Sequence, residues 1–595
     1  VIMKKNLNLI IMAATLLCAA CSSGGDLLDD YTETITNGNT GTSTSGSSSS
    51  SSTTTNSDLT SLDVAIDTTA LAETETVPSG DEDYVENYTT SNTIYITYNG
   101  SSASYEGNVS GVSIAISGAD VTVTSTTAGV NYVLSGSSTE GSFKMASGDD
   151  NKKFELTLAG LSLNNSDGPA INIQAGKRVY VVLKDGTTNH LSDGTSYASS
   201  TEDQKGTLFS EGQLLFSGKG SLTVSANTKA GIASDDYILI RPNTNIYVNA
   251  TQGNGIKSND GIDIRGGVIN VAVSGVAAKG LSTDGYYTQS GGRVTAITTG
   301  GAEYDSDEND VSGSAGLKAD SVITINGGKL LTKSSGAGGK GISSDQAIVI
   351  NDGTVKVVTS GKTYTYSSSL DSKPKGIKAD GNLQINGGAI MVKASGGEGA
   401  EGIEAKGTMA ITGGTTEVYA YDDAFNSAYD LTVSGGYVYA FSVNNDGIDS
   451  NRNLYFKGGT TYAYGTTQPE CGIDAAEGYS VYISGGTLMA VGGGESYPAS
   501  SSSQPSIVYG GTVNSGATIT ISNGSSEVAS YVMGRSYSGT VSFLLSAPGL
   551  TKGSSYTVAV DGTTVGTISS LASPYSSIGS STGGMGGGNR PGGWW

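Results

Sequence analysis

Acidic side chains recur beside glycine in this chain at fixed offsets. In DGIDSNRNLYFKGGTTYAYG (446–465), Asp446 precedes Gly447 and Asp449 follows it by two. The same frame puts Glu401 and Asp423 one residue ahead of a Gly or Ala, and Glu404, Asn426 and Asp474 two residues behind one. Earlier copies carry Lys279, Lys340 and Lys375 ahead of the glycine, and Lys257, Lys318 and Lys378 behind it. If equivalent positions stack, carboxylates about 4–5 Å apart repel by a few kcal/mol near a protein surface. Calcium is a hard cation that takes about six to eight oxygen ligands. It is the partner expected for Glu404, Asp423, Asn426, Asp446, Asp449 and Asp474; a hydrated acidic surface is the alternative.

A second group alternates after the Gly-Gly pairs. Early copies place Lys329, Lys333, Lys356 and Lys393 at positions expected to face outward. Later copies place Tyr419, then Tyr437, Tyr439 and Phe441, then Tyr462 and Tyr464 there. Exposed aromatic patches mark binding sites, and aromatic faces with phenolic hydroxyls suit sugar rings. These six aromatics, with Lys257, Lys318 and Lys378, are the expected carbohydrate contacts. Cover by the C-terminal segment, or plain strand propensity, would also account for the aromatics.

The elements that must position these residues form a repeat. GIKSNDGIDIRGG (255), GLKADSVITINGG (316), GIKADGNLQINGG (376) and their relatives recur every 22–26 residues, with two longer steps filled by GGAEYDSDENDVSGSA (300–315) and TYTYSSSLDSKPK (363–375). A period of that size, with short alternating strands and Gly turns, predicts an all-β parallel solenoid over residues 93–504. Its coils bury their inner faces by stacking about 4.8 Å apart, right-handed by the crossover rule for parallel strands. The Ile or Leu after Gly is expected to point inward, as are the second and fourth residues after Gly-Gly, such as Ile269 and Val271 or Val438 and Ala440. Residues 93–200 read as irregular first coils with a cap. Residues 505–572 read as a small antiparallel β module that closes the far end, and 573–595 as a disordered Gly-rich tail.

Bulk composition narrows the function. The 595 residues carry a net charge of −23, with 88 Gly and one His. An acidic balance argues against nucleic acid. A lone histidine, His190, expected in a turn, argues against zinc and His-based catalysis. Lys4 and Lys5 followed by LNLIIMAATLLCAAC read as an export signal over residues 1–20, with Cys21 as a lipidated first residue. Residues 21–92, including NGNTGTSTSGSSSSSSTTTNS (37–57), read as a flexible tether. The expectation is a monomeric lipoprotein on the outer membrane, facing the periplasm or the outside, with no membrane contact except the lipid. With Cys21 at the anchor, Cys471 has no disulfide partner.

ITYNGSSASYEG, AINIQAGKRVYVVLKDGTTNHLSDG, the serial GIKSNDGIDIRGG units, DDAFNSAYDLTVSGG, NNDGIDSNRNLYFKGG and SSSQPSIVYGGT resemble the carbohydrate-binding domain-containing right-handed β-helix proteins. The resemblance spans about residues 93–568. It implies a polysaccharide-lyase-like fold and binding of cellulose and acidic, pectin-type sugars with calcium, without catalysis. His190 departs from the Thr expected there. A calcium-dependent lyase using Arg452, or more distantly Lys378, as base is one competing reading. A structural or adhesive solenoid is the other.

Overall fold

The computed structural model of the protein describes residues 56–146 and 152–579. The expected export signal and Cys21 lie outside the described residues, as does most of the Ser/Thr-rich stretch. Each repeat contributes three short strands, as in Ile256–Ser258, Gly261–Ile264 and Val268–Val273. Strands of one kind stack in parallel on their counterparts. The first kind forms a 15-stranded sheet, begun by an antiparallel hairpin, and the second and third kinds run through a 29-stranded sheet.

Register follows from what must be buried. The residue after each glycine pairs with its equivalent in the next coil, giving the ladder Ile232, Ile256, Leu281, Leu317, Ile342, Ile377, Ile403, Phe425, Ile448 and Ile473. All ten are buried. A slip of one residue would turn them outward, so the ladder fixes every other column. On the third strand Ile269, Val271, Val438 and Ala440 are also fully buried, as expected. Two glycine positions of the repeat are tight. A Cβ on Gly402 would stand 2.1 Å from Val418 Cγ1 across the tube. Gly436, the second of a Gly-Gly pair, has φ +78°, and its Cβ would stand 2.6 Å from the Gly414 carbonyl oxygen.

The described part of the expected tether is not free of the solenoid. From Leu59 to Ser91 the chain lies against the outside of the solenoid, running from later coils back to the first strand, Asn92–Asn99. Asp63 pairs with Lys333 at 2.6 Å, Asp67 with Arg293 at 3.0 Å, Glu75 with Arg241 at 2.8 Å and Asp83 with Arg265 at 2.7 Å. Tyr84 lies under the Arg241 guanidinium at 4.3 Å. A flexible tether was expected here, but Asp63, Asp67, Glu75, Glu82, Asp83 and Glu86 find cations on the coils, and Glu73 accepts the Asn243 and Gly267 backbone N–H groups.

At the far end Val541–Ser546 pairs antiparallel with the last coil strand, Val481–Gly492, and with Ser506–Gly511. A separate four-stranded antiparallel sheet follows, with Thr518–Asn523 and Tyr556–Val560 in its centre. The strand Tyr575–Ile578, expected in the tail, pairs in parallel with Ser506–Tyr509, because Ile578 has an apolar face to cover. His190 is not in a turn; it lies in the strand Thr188–Asp193, flanked by Ser162 and Thr223.

Arg241 is almost fully buried between Glu75 and Glu86. Removing one partner of a buried ion pair costs about 3–5 kcal/mol, and the half-exposed Glu86 reduces that to about 1.5–3 kcal/mol. Arg241→Ala is therefore expected to raise the open population of the strap roughly ten- to a hundredfold. The check is faster limited proteolysis within residues 59–91, with the solenoid itself still resistant.

Candidate functional site

Stacking converts the sequence offsets into two charged columns on the first sheet. Two residues behind the glycine, Lys257, Ser282, Lys318, Ser343, Lys378, Glu404, Asn426, Asp449 and Asp474 pair in register. Over the early coils a serine separates successive lysines, which places them about 10 Å apart. A neighbouring column four residues behind the glycine carries the opposite charge: Asp284, Asp320, Asp345 and Asp380. Lys257 pairs with Asp284 at 3.6 Å, Lys318 with Asp345 at 2.6 Å and Lys378 with Asp380 at 2.7 Å.

The signs reverse at the coil of Glu401. Lys375 joins the two halves, 2.7 Å from Glu401 and 3.6 Å from Glu404, and Lys406 takes the position four behind, 2.5 Å from Glu404. Glu404 was an expected calcium ligand. Its two lysines neutralise it, hold its carboxyl below the usual range against the effect of burial, and remove it from the acidic group.

Past that coil the position four behind becomes Ala428, Asn451 and Ala476, while the acids continue. One carboxylate oxygen from each of Asp446, Asp449 and Asp474 lies within 4.8 Å of the others. Asp446 and Asp423 are buried. Asp423 Oδ1 accepts the Asp446 backbone N–H at 3.0 Å, and Asn426 Nδ2 donates to Asp423 Oδ2 at 3.2 Å. Asp446 Oδ1 accepts the Cys471 N–H, and Asp474 Oδ1 accepts from Ser496 Oγ at 2.8 Å. Burial, then Asp449 and Asp474, push the Asp446 carboxyl well above its ordinary value; burial, then Asp449 and Asp446, do the same to Asp423. The donors are hard oxygens, as calcium requires. Cys471 occupies the place of an acid in the last coil, with its side chain buried. Glu495 ends the sheet, accepting the Gly472 and Ile473 N–H groups at 3.2 and 3.1 Å.

The aromatic face is largely covered. Tyr439, Phe441 and Tyr464 are buried, and Tyr419, Tyr437 and Tyr462 are half-buried, all packed with Ile519, Tyr531 and Met533 of the C-terminal module. Tyr464 Oη donates to the Val532 carbonyl at 3.2 Å and accepts the Gly534 N–H at 3.0 Å. The Arg535 guanidinium lies 5.1 Å over Phe441. An apolar surface of this size is stabilised by cover, and here the chain covers it itself. Tyr439, Phe441 and Tyr464 are therefore corrected from sugar contacts to core, while Tyr419, Tyr437 and Tyr462 lie half-buried at its margin.

An open recess lies elsewhere. A cleft of about 670 Å³ opens over the early coils, its lining including Lys205, Lys229, Lys257, Gln252, Asn254 and Asn259 together with Asp235 and Asp284. Lys229 lies 5.4 Å over the Tyr197 ring, and Lys205 is 2.5 Å from Asp235. Of the expected sugar contacts, Lys257 alone lines it. Thr228, Lys229, Gln252, Gly253 and Asn254 come from turns whose polar letters resemble those of any loop. As for the alternative base, Arg452 lies 4.2 Å over the Tyr429 ring.

A family model described as "Carbohydrate-binding domain-containing protein" matches residues 117–286, 364–447 and 397–534, together more than half of the chain. The chain belongs to this family. A carbohydrate-binding domain-containing protein of Acetivibrio thermocellus is 31% identical over 114 residues, 18% of this chain and 39% of that protein. The chain thus spans well under two thirds of that relative. A solved structure of a polysaccharide lyase-like protein from C. thermocellum, a gadolinium derivative, shares 22% identity with a TM-score of 0.32, covering 52% of this chain and 99% of that one. In this member of the family, both the lysine-lined cleft and the Asp446 group fall within matched segments.

The raised carboxyls give a pH signature. A folded-state pKa above 3.8 means that the native chain holds the proton more tightly than the unfolded chain. Stability then falls as pH rises from that value toward neutrality. In chelator, Asp446→Asn keeps the acceptor for the Cys471 N–H and removes the charge. It should raise the melting temperature near neutral pH and flatten its decline between about pH 4 and 7; an unchanged pH profile would show that Asp446 carries no such strain.

Proposed function

We propose that this protein binds a polysaccharide chain without cleaving it, and that the cleft at Lys229 and Lys257 is its principal contact. The observation that carries this reading is the cleft itself: an open polar recess, with amide and ammonium donors on a rigid frame, in a chain of a carbohydrate-binding family. Amides and ammonium groups suit sugar hydroxyls and carboxylates alike, so acidic, pectin-type and cellulosic chains are the expected ligands. Lys378 engaged with Asp380, and Arg452 lying on Tyr429, favour binding over lyase chemistry. Export and attachment through Cys21 at the outer membrane complete the reading, with the solenoid acting as a monomer.

Calcium is proposed at Asp446, Asp449 and Asp474, with Asp423 and Asn426 beside them. A divalent ion would replace the protons that burial now favours. It would join three successive coils and hold the end of the tube that carries the C-terminal module.

Affinity electrophoresis against neutral and uronic-acid polysaccharides, with calcium and with chelator, tests the function. The double variant Lys229→Ala, Lys257→Ala is expected to lose about tenfold or more in retardation by its preferred polymer; undiminished retardation would remove the cleft as the site. No unsaturated uronide should be released from any polymer tested. Calcium at about a hundred times its Kd should add about 2.7 kcal/mol of stability, read as a rise in melting temperature that Asp446→Asn loses.

A further inference from the structure

The two longest insertions among the described coils form a single feature. Residues Glu303–Asp305 pair antiparallel with Asp310–Ser312, and Tyr364–Thr365 with Asp371–Ser372. Both hairpins fill the turn from third to first strand, with one ordinary coil between them, so their bases stand about 10 Å apart. Their tips nevertheless meet. The Tyr304 and Tyr366 rings stack with centroids 4.0 Å apart and planes 2° from parallel. Each hairpin is pinned to the solenoid by a half-buried lysine: Lys279 Nζ donates to Ser312 Oγ at 3.0 Å, and Lys340 Nζ to Ser372 Oγ at 2.7 Å.

We propose that the Tyr304–Tyr366 pair is a stacking platform for an uncharged pyranose ring of the bound polysaccharide. This rests on the reading that the protein binds polysaccharide. Three observations carry it. Tyr366 is 53% exposed although one ring face is covered by Tyr304, so its other face is open to a ligand. The first hairpin begins two coils beyond the Gln252–Asn254 turn of the cleft, on the same edge of the tube, so a chain lying along the axis passes from one to the other. The two rings are already stacked without ligand, which reduces the ordering cost of contact. Charge sets the ligand class. Glu303, Asp305, Asp307, Glu308 and Asp310 crowd the first hairpin and Asp371 lies on the second. Their field repels a uronate and leaves the C–H face of a neutral ring as the natural partner for an aromatic.

The test is titration of the full chain with cellohexaose and with a galacturonate hexamer, by calorimetry, on wild type, Tyr366→Ala, Tyr366→Phe and the cleft double variant. Tyr366→Ala should weaken cellohexaose binding about tenfold, leave the galacturonate hexamer within about twofold, and be rescued by Tyr366→Phe, which keeps the ring. Unchanged cellohexaose affinity in Tyr366→Ala would overturn the platform, as would a loss confined to galacturonate. If wild type ignores cellohexaose but binds galacturonate in a manner sensitive to the cleft variant, the platform fails while the polysaccharide reading stands. If neither oligosaccharide nor any longer polymer binds, both fail.

Discussion

Everything in this molecule depends on in-register parallel stacking of coils about 4.8 Å apart. Such a stack lays each side chain on its equivalent from the neighbouring coil. For apolar groups repetition is favourable, and the ladder from Ile232 to Ile473 fills the tube with close-packed branched chains. For charged groups it is unfavourable, since like charges repeated at that spacing repel. The sequence answers this twice over the early coils. Serines at 282 and 343 separate the lysines, and a parallel column of aspartates balances them.

That rule makes the later coils informative. The column four behind the glycine changes from acid to Lys406, and then to uncharged residues, while the acids two behind persist through Asp449 and Asp474. Asp423 and Asp446 join them from one residue ahead. The balance maintained for several coils is given up where the carboxylates are buried most deeply, and an external cation would restore it. The same coils bear the C-terminal module, so charge, end-capping and aromatic cover meet at one end of the tube. The polar cleft lies toward the other.

The strap from Leu59 to Ser91 and the paired hairpins show how irregular segments become ordered on a repetitive frame. Neither has a sheet of its own of any length. Each is held where its polar groups meet cations already positioned on the coils: Arg241, Arg265 and Arg293 for the strap, Lys279 and Lys340 for the hairpins. Loop composition alone suggests flexibility. The rigid partner removes it, because only the mobile side of each contact must lose conformational freedom.

Much of the fold was legible in the residues. Recurrent Gly-Ile and Gly-Gly at one period dictate the solenoid, its inward ladder and its charged columns, because stacking turns sequence period directly into spatial register. The convergence of Asp446, Asp449 and Asp474 follows from that arithmetic, and the compensation of Glu404 by Lys406 was also readable, two positions away. Other features depended on contacts between segments far apart in the chain. Alternating Tyr437, Tyr439 and Phe441 read as an outward face, and they are outward; that residues 517–537 would lie over them is set by packing, which no local pattern encodes. Likewise, the recess at Lys229 and Lys257 arises from turns of ordinary polar composition. Sequence by itself determined the tube and the order of charges along it, since period fixes register; tertiary structure decided which outward residues meet solvent, since cover comes from remote chain.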